Sequence, residues 1–505
     1  VAQVSFTLRG STFLASAVLG VVHALSFAPW NLWWLELLAL ASLFAIAVRA
    51  PSTRSAAILG FAFGMGWFGA GVSWVYISLH VYGQMWAWLA GLATAAFAAI
   101  LAVYPALALG LAHRLVPEPG VRLLLAIPAA WAPAEWLRGI LFTGCPWIAS
   151  GYAHTDGPLS GYAPLLGVYG ISLVAGLVAA GLVAVLRYRS SSRAAMAGAI
   201  VIVAALLGGL QLSKIVWTVP FGKPINVRLV QGNISQDEKF GLEGVDRAHE
   251  IYFPLMSRPG PVDLAALPES VYPLPLRYLP DDVTRDLVDF VRDRNVALVF
   301  GIFIEEPERH YYNSAIGIAP ERSGYQRYSK RHLVPFGEFI PFGFRWFVNL
   351  MRMPIGDQER GMHNQPPFDL AGQRVAINIC YEDLFGAEII EAWHDPQRTP
   401  TMLLNLSNLA WFRDSIALPQ HLQISRMRSL ETGRPMLRAT NTGATAIIDP
   451  HGEVTGQLPF NTVGVLDGEV QGYTGDTPFI RFGNLPALGI SFLLLLAARW
   501  FGRRL

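Results

Sequence analysis

The chain has 505 residues, room for about three average domains, but 53% are hydrophobic and only 15% charged, so the apolar content has to be concentrated in a membrane. A net charge of +2 with no basic tract interleaved with aromatics argues against nucleic acid as a partner. Two cysteines exclude a disulfide scaffold, and without a CxxC or HExxH spacing neither a metal site nor a cofactor is expected.

Apolar segments of the length a helix needs to cross about 30 Å of hydrocarbon run near 12–28, 32–49, 56–79, 85–112, 121–140, 163–186 and 195–215, and an eighth lies at 485–501. They predict a multi-pass bundle of eight transmembrane helices, seven within 1–215 and the last within 484–505, where a short tail follows it. The first segment has the length of a signal-peptide core. No small-residue cleavage site follows it and six similar segments do, so it reads as a retained helix.

Basic residues set the orientation. Arg9, Arg49, Arg54, Arg114, Arg122, Arg187, Arg189 and Arg193 fall on one set of connections, whereas those near 29–31, 80–84 and 141–162 hold no Lys or Arg. The positive-inside rule then places both termini in the cytoplasm, with Arg499, Arg503 and Arg504 after the last helix in agreement. The polar section 216–483 faces outward.

Within the bundle, Gly60-Phe-Ala-Phe-Gly64 reads as a close helix contact. Glu135 and Arg138, three residues apart near the outer end of the fifth segment, either pair with each other or help to hold a lipid head group. Trp147, in the outward connection Gly144-Cys145-Pro146-Trp147, is a further candidate lipid contact.

The outward section alternates short β-branched or apolar runs with helical stretches, which predicts an α/β domain. Expected strands include 226–231, 264–267, 297–304, 314–319, 326–329, 374–379, 401–406, 437–441, 445–449 and 463–466. The expected helices are 245–256, 281–294, 387–391 and 419–433.

Three of these strands end on chemistry-bearing residues: Glu269 after Leu264–Leu267 and Pro268, Lys330 after Tyr328-Ser329, and Cys380 after Val375-Ala376-Ile377-Asn378-Ile379. Carboxyl ends of strands are where α/β sites form. A thiol near pKa 8.5 needs a base to take its proton and a cation to steady the charge that develops. Glu269 and Lys330 supply these, and the N–H of Tyr381 is a second oxyanion donor. Taken alone, each is also compatible with an inert core thiol or a solvated surface charge.

The set Leu267-Pro268-Glu269-Ser270, Tyr328-Ser329-Lys330-Arg331-His332-Leu333-Val334-Pro335-Phe336-Gly337-Glu338 and Asn378-Ile379-Cys380-Tyr381-Glu382 resembles the Glu-Lys-Cys triad of the nitrilase superfamily. Val230-Gln231-Gly232-Asn233 and Asn405–Phe412 add to it. With seven helices before and one after, the chain is similar to the bacterial apolipoprotein N-acyltransferases.

The resemblance implies a nitrilase-like αββα sandwich on the outer face of the bundle, in the bacterial inner membrane, with the catalytic domain on the periplasmic side. It implies ping-pong transfer of a fatty acyl chain from a phospholipid, typically phosphatidylethanolamine, through a cysteine thioester to the α-amino group of the S-diacylglyceryl cysteine that begins an apolipoprotein. Cys380 is then the nucleophile, Glu269 the base and Lys330 the oxyanion stabiliser, supported by Glu338, Tyr381 and Glu382. Phe240 stands where the family often has Trp. No nucleic acid takes part, membrane lipids surround the chain, and a monomer is expected.

The run Phe342–Pro354 is too apolar for an ordinary exposed loop. It reads either as buried core or as an amphipathic lid, with Arg345 and Arg352 near head groups and Phe344, Trp346, Phe347 and Leu350 towards acyl chains. Cys145 and Cys380 are expected to be free thiols, since a bridge between them would consume the nucleophile. Two rivals remain open: a membrane-anchored amidase or nitrilase with water as acceptor, and an inactive nitrilase-like scaffold for lipoproteins.

Overall fold

The computed structural model describes residues 10–187, 192–239, 243–343, 345 and 357–504. The chain divides into two compact units, one of Val1–Tyr76, Trp86–Val216 and Arg481–Leu505, the other of Ile77–Met85 and Trp217–Ile480.

The first unit is helical. Its apolar helices are Gly10–Ala24, Trp33–Ala47, Thr53–Gly71, Ala87–Leu115, Ile127–Arg138, Ala163–Arg187, Ser192–Leu212 and Leu485–Phe501. Among the described residues, three helical stretches are long and apolar enough to cross a membrane: Ala87–Leu115, Ser160–Arg187 and Arg193–Leu212. A fourth is reached if Thr53–Gly71 and Val75–Tyr82, bent by 61°, are one span. The expectation of eight spanning helices is therefore met only in part. Gly10–Ala24 and Trp33–Ala47 have 15 residues each, which at 1.5 Å per residue cover about 22 Å against a hydrocarbon core of about 30 Å. The fifth apolar segment is interrupted too, with a π-helical turn over Arg122–Ala126 before Ile127–Arg138.

Close backbone contact holds this unit together. A Cβ on Gly60 would lie 2.4 Å from the Pro105 carbonyl oxygen, and one on Gly64 would lie 2.6 Å from Ala102 Cα. The spacing noted in the sequence thus seats Thr53–Gly71 on Ala87–Leu115.

The second unit holds two sheets. One contains β1 (Val219–Gln231), β2 (Leu264–Ala266), β3 (Tyr272–Pro275), β4 (Ala297–Glu306), β5 (His310–Ile318), β6 (Gln326–Ser329) and β13 (Gly464–Thr474), in the order β13-β1-β2-β4-β5-β6 with β3 beside β4. The other runs β12-β11-β10-β9-β8-β7, from β7 (Phe368–Leu370), β8 (Gln373–Ile379), β9 (Met402–Ser407), β10 (Met436–Thr440), β11 (Ala446–Ile448) and β12 (Val454–Gln457). In each sheet three consecutive central strands are parallel, β1-β2-β4 and β8-β9-β10.

Period-two alternation sorts the side chains into layers. Leu264 and Ala266 of β2 join Val375, Ile377 and Ile379 of β8 in a core between the sheets. Ala265 and the following Leu267 face outward, into a second core with Tyr252 of helix Gly244–Met256 and Leu287 of helix Asp281–Arg294. Ala376 and Leu403 pack on the other outer side with Trp393 and with Leu422 of helix Ala417–Thr432. The result is an α-β-β-α sandwich. β3, β7 and β12, each of three or four residues, are additional to the strands expected from the sequence.

The excursion Ile77–Met85 belongs to this unit through the loop after β9. Ser78 Oγ donates to the Trp411 carbonyl at 3.0 Å, and the Tyr82 ring meets Trp411 edge-on at 5.3 Å.

Candidate active site

Glu269, Lys330 and Cys380 each occupy the first or third position after a strand, at the ends of β2, β6 and β8. Glu269 is brought in by close backbone packing: a Cβ on Gly301 of β4 would lie 2.6 Å from Glu269 Cα. Its carboxylate accepts three hydrogen bonds. Oε1 accepts from Lys330 Nζ at 3.2 Å and Asn313 Nδ2 at 2.8 Å, and Oε2 accepts from the Asn408 backbone N–H at 2.9 Å.

Lys330 also donates to Glu338 Oε1 at 2.8 Å, which Asn313 Nδ2 reaches at 3.1 Å, while Glu338 Oε2 takes the Val334 N–H at 2.9 Å. One ammonium therefore sits between two carboxylates, with a single amide bridging the same two oxygens. Burial opposes the charge on Lys330, but Glu269 and Glu338 outweigh it and hold the amine well above the usual lysine range.

Cys380 is half-buried and opens a 3-10 turn over Cys380–Leu384 with φ 51°. Burial pushes its thiol up, Glu269 pushes it further, and Lys330 pulls it down, with a net rise. The thiol thus rests protonated and responds to both groups.

Glu382 joins the strand ends. Its Oε2 accepts from the Ile379 N–H at 2.7 Å and the Tyr328 hydroxyl at 3.0 Å, and its Oε1 from the backbone N–H groups of Arg331 at 2.7 Å and His332 at 3.1 Å. The cysteine turn and the lysine loop are tied through one carboxylate. Burial raises it from 4.5 to about 7 despite these donors. The folded chain binds this proton more tightly than the unfolded one, so the contribution of Glu382 to stability is full below about pH 4.5 and is lost as pH rises through about 7. In Glu382→Gln the amide N–H₂ faces two donors, a cost of about 1–3 kcal/mol, and that pH dependence disappears. Thermal melts at pH 5 and pH 8 check this: wild type loses stability between them through this group, and equal slopes in the two proteins would contradict the assignment.

The comparisons with known proteins agree with this architecture. The family model described as Apolipoprotein N-acyltransferase N-terminal domain matches residues 19–181, and that for Carbon-nitrogen hydrolase matches 226–479. The apolipoprotein N-acyltransferase of Ralstonia nicotianae is 51% identical over 486 residues, covering 96% of this chain and 92% of its own. That of Bordetella bronchiseptica is 43% identical, covering 98% and 97%.

The chain belongs to the apolipoprotein N-acyltransferase family. The corresponding enzyme of Chromobacterium violaceum is 44% identical over 96% of this chain and 93% of its own. Among solved structures, the C. elegans NitFhit protein aligns over 55% of this chain and 64% of its own, at 18% identity and a TM-score of 0.37.

For an apolipoprotein N-acyltransferase, several candidates from the sequence sit in unexpected surroundings. Glu135 and Arg138 do not pair with each other. Glu135 accepts from the Ser150 N–H at 3.1 Å and from the Ser150 and Ser172 hydroxyls at 2.6 and 2.5 Å. Arg138 donates to the carbonyls of Cys145 and Trp147 and lies over the Phe68 ring at 4.9 Å. Both are buried within the helical unit. Trp147 is buried as well, its ring 4.7 Å from that of Trp74.

Tyr381 packs near His332 and Phe385, at 5.6 and 5.2 Å between rings. Phe240, Phe344, Trp346, Phe347, Leu350 and Arg352 lie outside the described residues, and with them most of the expected lid. Phe342, at its start, is fully exposed, and Arg345 meets Asp357 at 3.1 Å. Neither Cys145 nor Cys380 is in a disulfide.

Three contributors were not anticipated as parts of the site. Asn313 is a buried amide on β5 between Tyr312 and Ser314. Asn408 acts through its backbone, which no side-chain pattern reveals. Lys239, also buried, donates to the Glu269 carbonyl at 3.2 Å, and burial lowers its amine to about 8 although Glu269 opposes the shift.

Proposed function

We propose that this family member transfers a fatty acyl chain from a phospholipid to the α-amino group of an S-diacylglyceryl cysteine at the start of an apolipoprotein, by way of a thioester on Cys380. The observation that carries the reading is the buried Lys330 ammonium between Glu269 and Glu338, with the Cys380 thiol in the field of all three.

In the first half-reaction the Cys380 sulfur attacks the ester carbonyl carbon and Glu269 takes the thiol proton. Negative charge develops on the carbonyl oxygen, where Lys330 and the Tyr381 N–H stabilise it. Collapse breaks the ester C–O bond, and Glu269 returns its proton to the departing lysophospholipid oxygen. In the second half-reaction the lipopeptide amine attacks the thioester and loses its proton to Glu269. The C–S bond breaks, and the thiolate is reprotonated. Glu338 and Asn313 keep Lys330 and Glu269 in register, and Glu382 keeps the cysteine turn against the lysine loop.

Phosphatidylethanolamine is the expected donor and a monomer the expected state. The basic residues on alternate connections support eight spans in the bacterial inner membrane, with residues 216–483 on the periplasmic side and both termini in the cytoplasm. A lid over 342–354 suits a lipid donor, because water competes for any acyl thioester.

Initial rates measured while both substrates are varied test the sequence of steps. A thioester path predicts parallel double-reciprocal lines. Lines that intersect would mean that donor and acceptor react in one ternary complex.

A further inference from the structure

Ser235-Gln236-Asp237-Glu238 has the spacing of a capping box, and the fold forms one. The Glu238 N–H donates to the Ser235 hydroxyl at 3.3 Å, while the Ser235 N–H and hydroxyl donate to Glu238 Oε2 at 3.3 and 3.1 Å. The single helical turn Gln236–Lys239 follows, closed by the Lys239 N–H on the Ser235 carbonyl at 3.0 Å. Asn441 pins the approach to it, its side chain bonding the N–H and the carbonyl of Ile234 at 2.9 and 2.7 Å. The turn carries Lys239 to a place where it is only 3% exposed.

A buried ammonium is costly unless acceptors receive it. Here Nζ donates to the Glu269 carbonyl at 3.2 Å. That carbonyl lies at the centre of a constrained turn. The Pro268 carbonyl accepts from the Gly301 N–H at 3.0 Å, and the Val271 N–H donates to the Gly301 carbonyl at 2.8 Å, so β4 grips the chain on either side of Glu269. Between these bonds Ser270 sits at φ 48°, which an L-residue holds only where its surroundings impose it. Lys239 takes the carbonyl of the peptide that enters Ser270. The same turn reaches the carboxylate end as well: Gln236 Oε1 accepts from Asn408 Nδ2 at 3.3 Å, and the Asn408 N–H donates to Glu269 Oε2 at 2.9 Å.

We propose that Lys239 is a positioning residue for the base of the acyl-transfer reaction: it fixes the Glu269 backbone through its carbonyl and places a second positive charge, besides Lys330, in the field of the Glu269 carboxylate. This rests on the reading of Glu269 as the base. Burial lowers the Lys239 amine to about 8 while Glu269 opposes the shift, so near neutral pH the amine keeps its proton, and the attraction is mutual. Around the same carboxylate, Lys330 attracts its charge, whereas Glu338 across the shared ammonium and Cys380, once ionised, repel it. Removing Lys239 leaves one cation against them.

Single-turnover acylation of Cys380 by phospholipid in the purified full chain, followed by intact mass from about pH 5 to about pH 9, separates positioning from general damage. Lys239→Met is expected to slow acylation by about 100-fold at neutral pH, the cost of a misplaced catalytic group, and to move the acid limb of the pH–rate profile to higher pH, because the base has lost a neighbouring cation. Loss of packing alone would lower the rate by the same factor at every pH.

Folded Lys239→Met with an unchanged rate, or with a reduced rate and an unmoved acid limb, would overturn the proposal. If the methionine variant does not fold, Lys239→Gln, which keeps an N–H but no charge, takes its place, with the same expected shift of the acid limb and the same overturning result. Glu269→Gln that acylates Cys380 at the wild-type rate would instead overturn the reading of the base, and the proposal with it.

Discussion

Cys380→Ser is expected to lower apolipoprotein acylation by on the order of 10⁴-fold or more, the scale seen when a catalytic nucleophile is removed. The substitution changes one atom and leaves the turn over Cys380–Leu384 and the Glu382 contacts in place, so the melting temperature should barely move. The loss has a chemical cause. Burial and Glu269 already raise the thiol above its ordinary range, and a hydroxyl, far less acidic, would need a much stronger base in the same surroundings. Single-turnover assays with phospholipid and a diacylglyceryl lipopeptide measure the fall. Activity within tenfold of wild type would exclude Cys380 as the nucleophile.

Lys330→Met should be nearly as severe, and for two separable reasons. The oxyanion loses a buried charged donor, a factor of about 10²–10³. Glu269 and Glu338 are left without the ammonium that stood 3.2 and 2.8 Å from them. The two carboxylates then face each other without the counter-charge between them, and the base is no longer held in its native arrangement. Breaking a buried ion pair from one side also costs about 3–5 kcal/mol of stability. Thermal melts and single-turnover rates together check the account: a large rate loss with an unchanged melting temperature would mean that Lys330 is not part of the buried ion cluster.

The candidate site was legible because Glu269, Lys330 and Cys380 follow strands that announce themselves. Val375–Ile379 and Leu264–Leu267 are short apolar runs, and strand ends are where an α/β fold presents functional groups. The charged run after Tyr328 marked Lys330 and Glu338 in the same way. What the sequence hid acts through backbone or through burial. The Asn408 N–H has no residue signature, and Asn313 lies one residue before the expected strand 314–319, which in the structure begins earlier, at His310. The helix Ala417–Thr432 is polar along its length, and only the fold shows that nearly all of it is enclosed.

Of the two readings of Glu135 and Arg138, the mutual pair is not formed: each reaches to the returning segment around Cys145–Ser150, which local sequence cannot foresee. The membrane spans were legible as apolar helices but not in their lengths. Hydropathy continues through the turns that follow Ala24 and Gly71, and the helices do not.

The most direct measurement is the intact mass of the purified full chain after incubation with phospholipid alone and then with a diacylglyceryl lipopeptide. The account predicts a gain of one acyl chain on Cys380, absent from Cys380→Ala, stable in water and discharged on addition of the lipopeptide with the chain recovered as an amide on its terminal cysteine. An adduct discharged by water alone would identify a hydrolase, and the absence of any adduct on Cys380 while the lipopeptide is still acylated would contradict the thioester path.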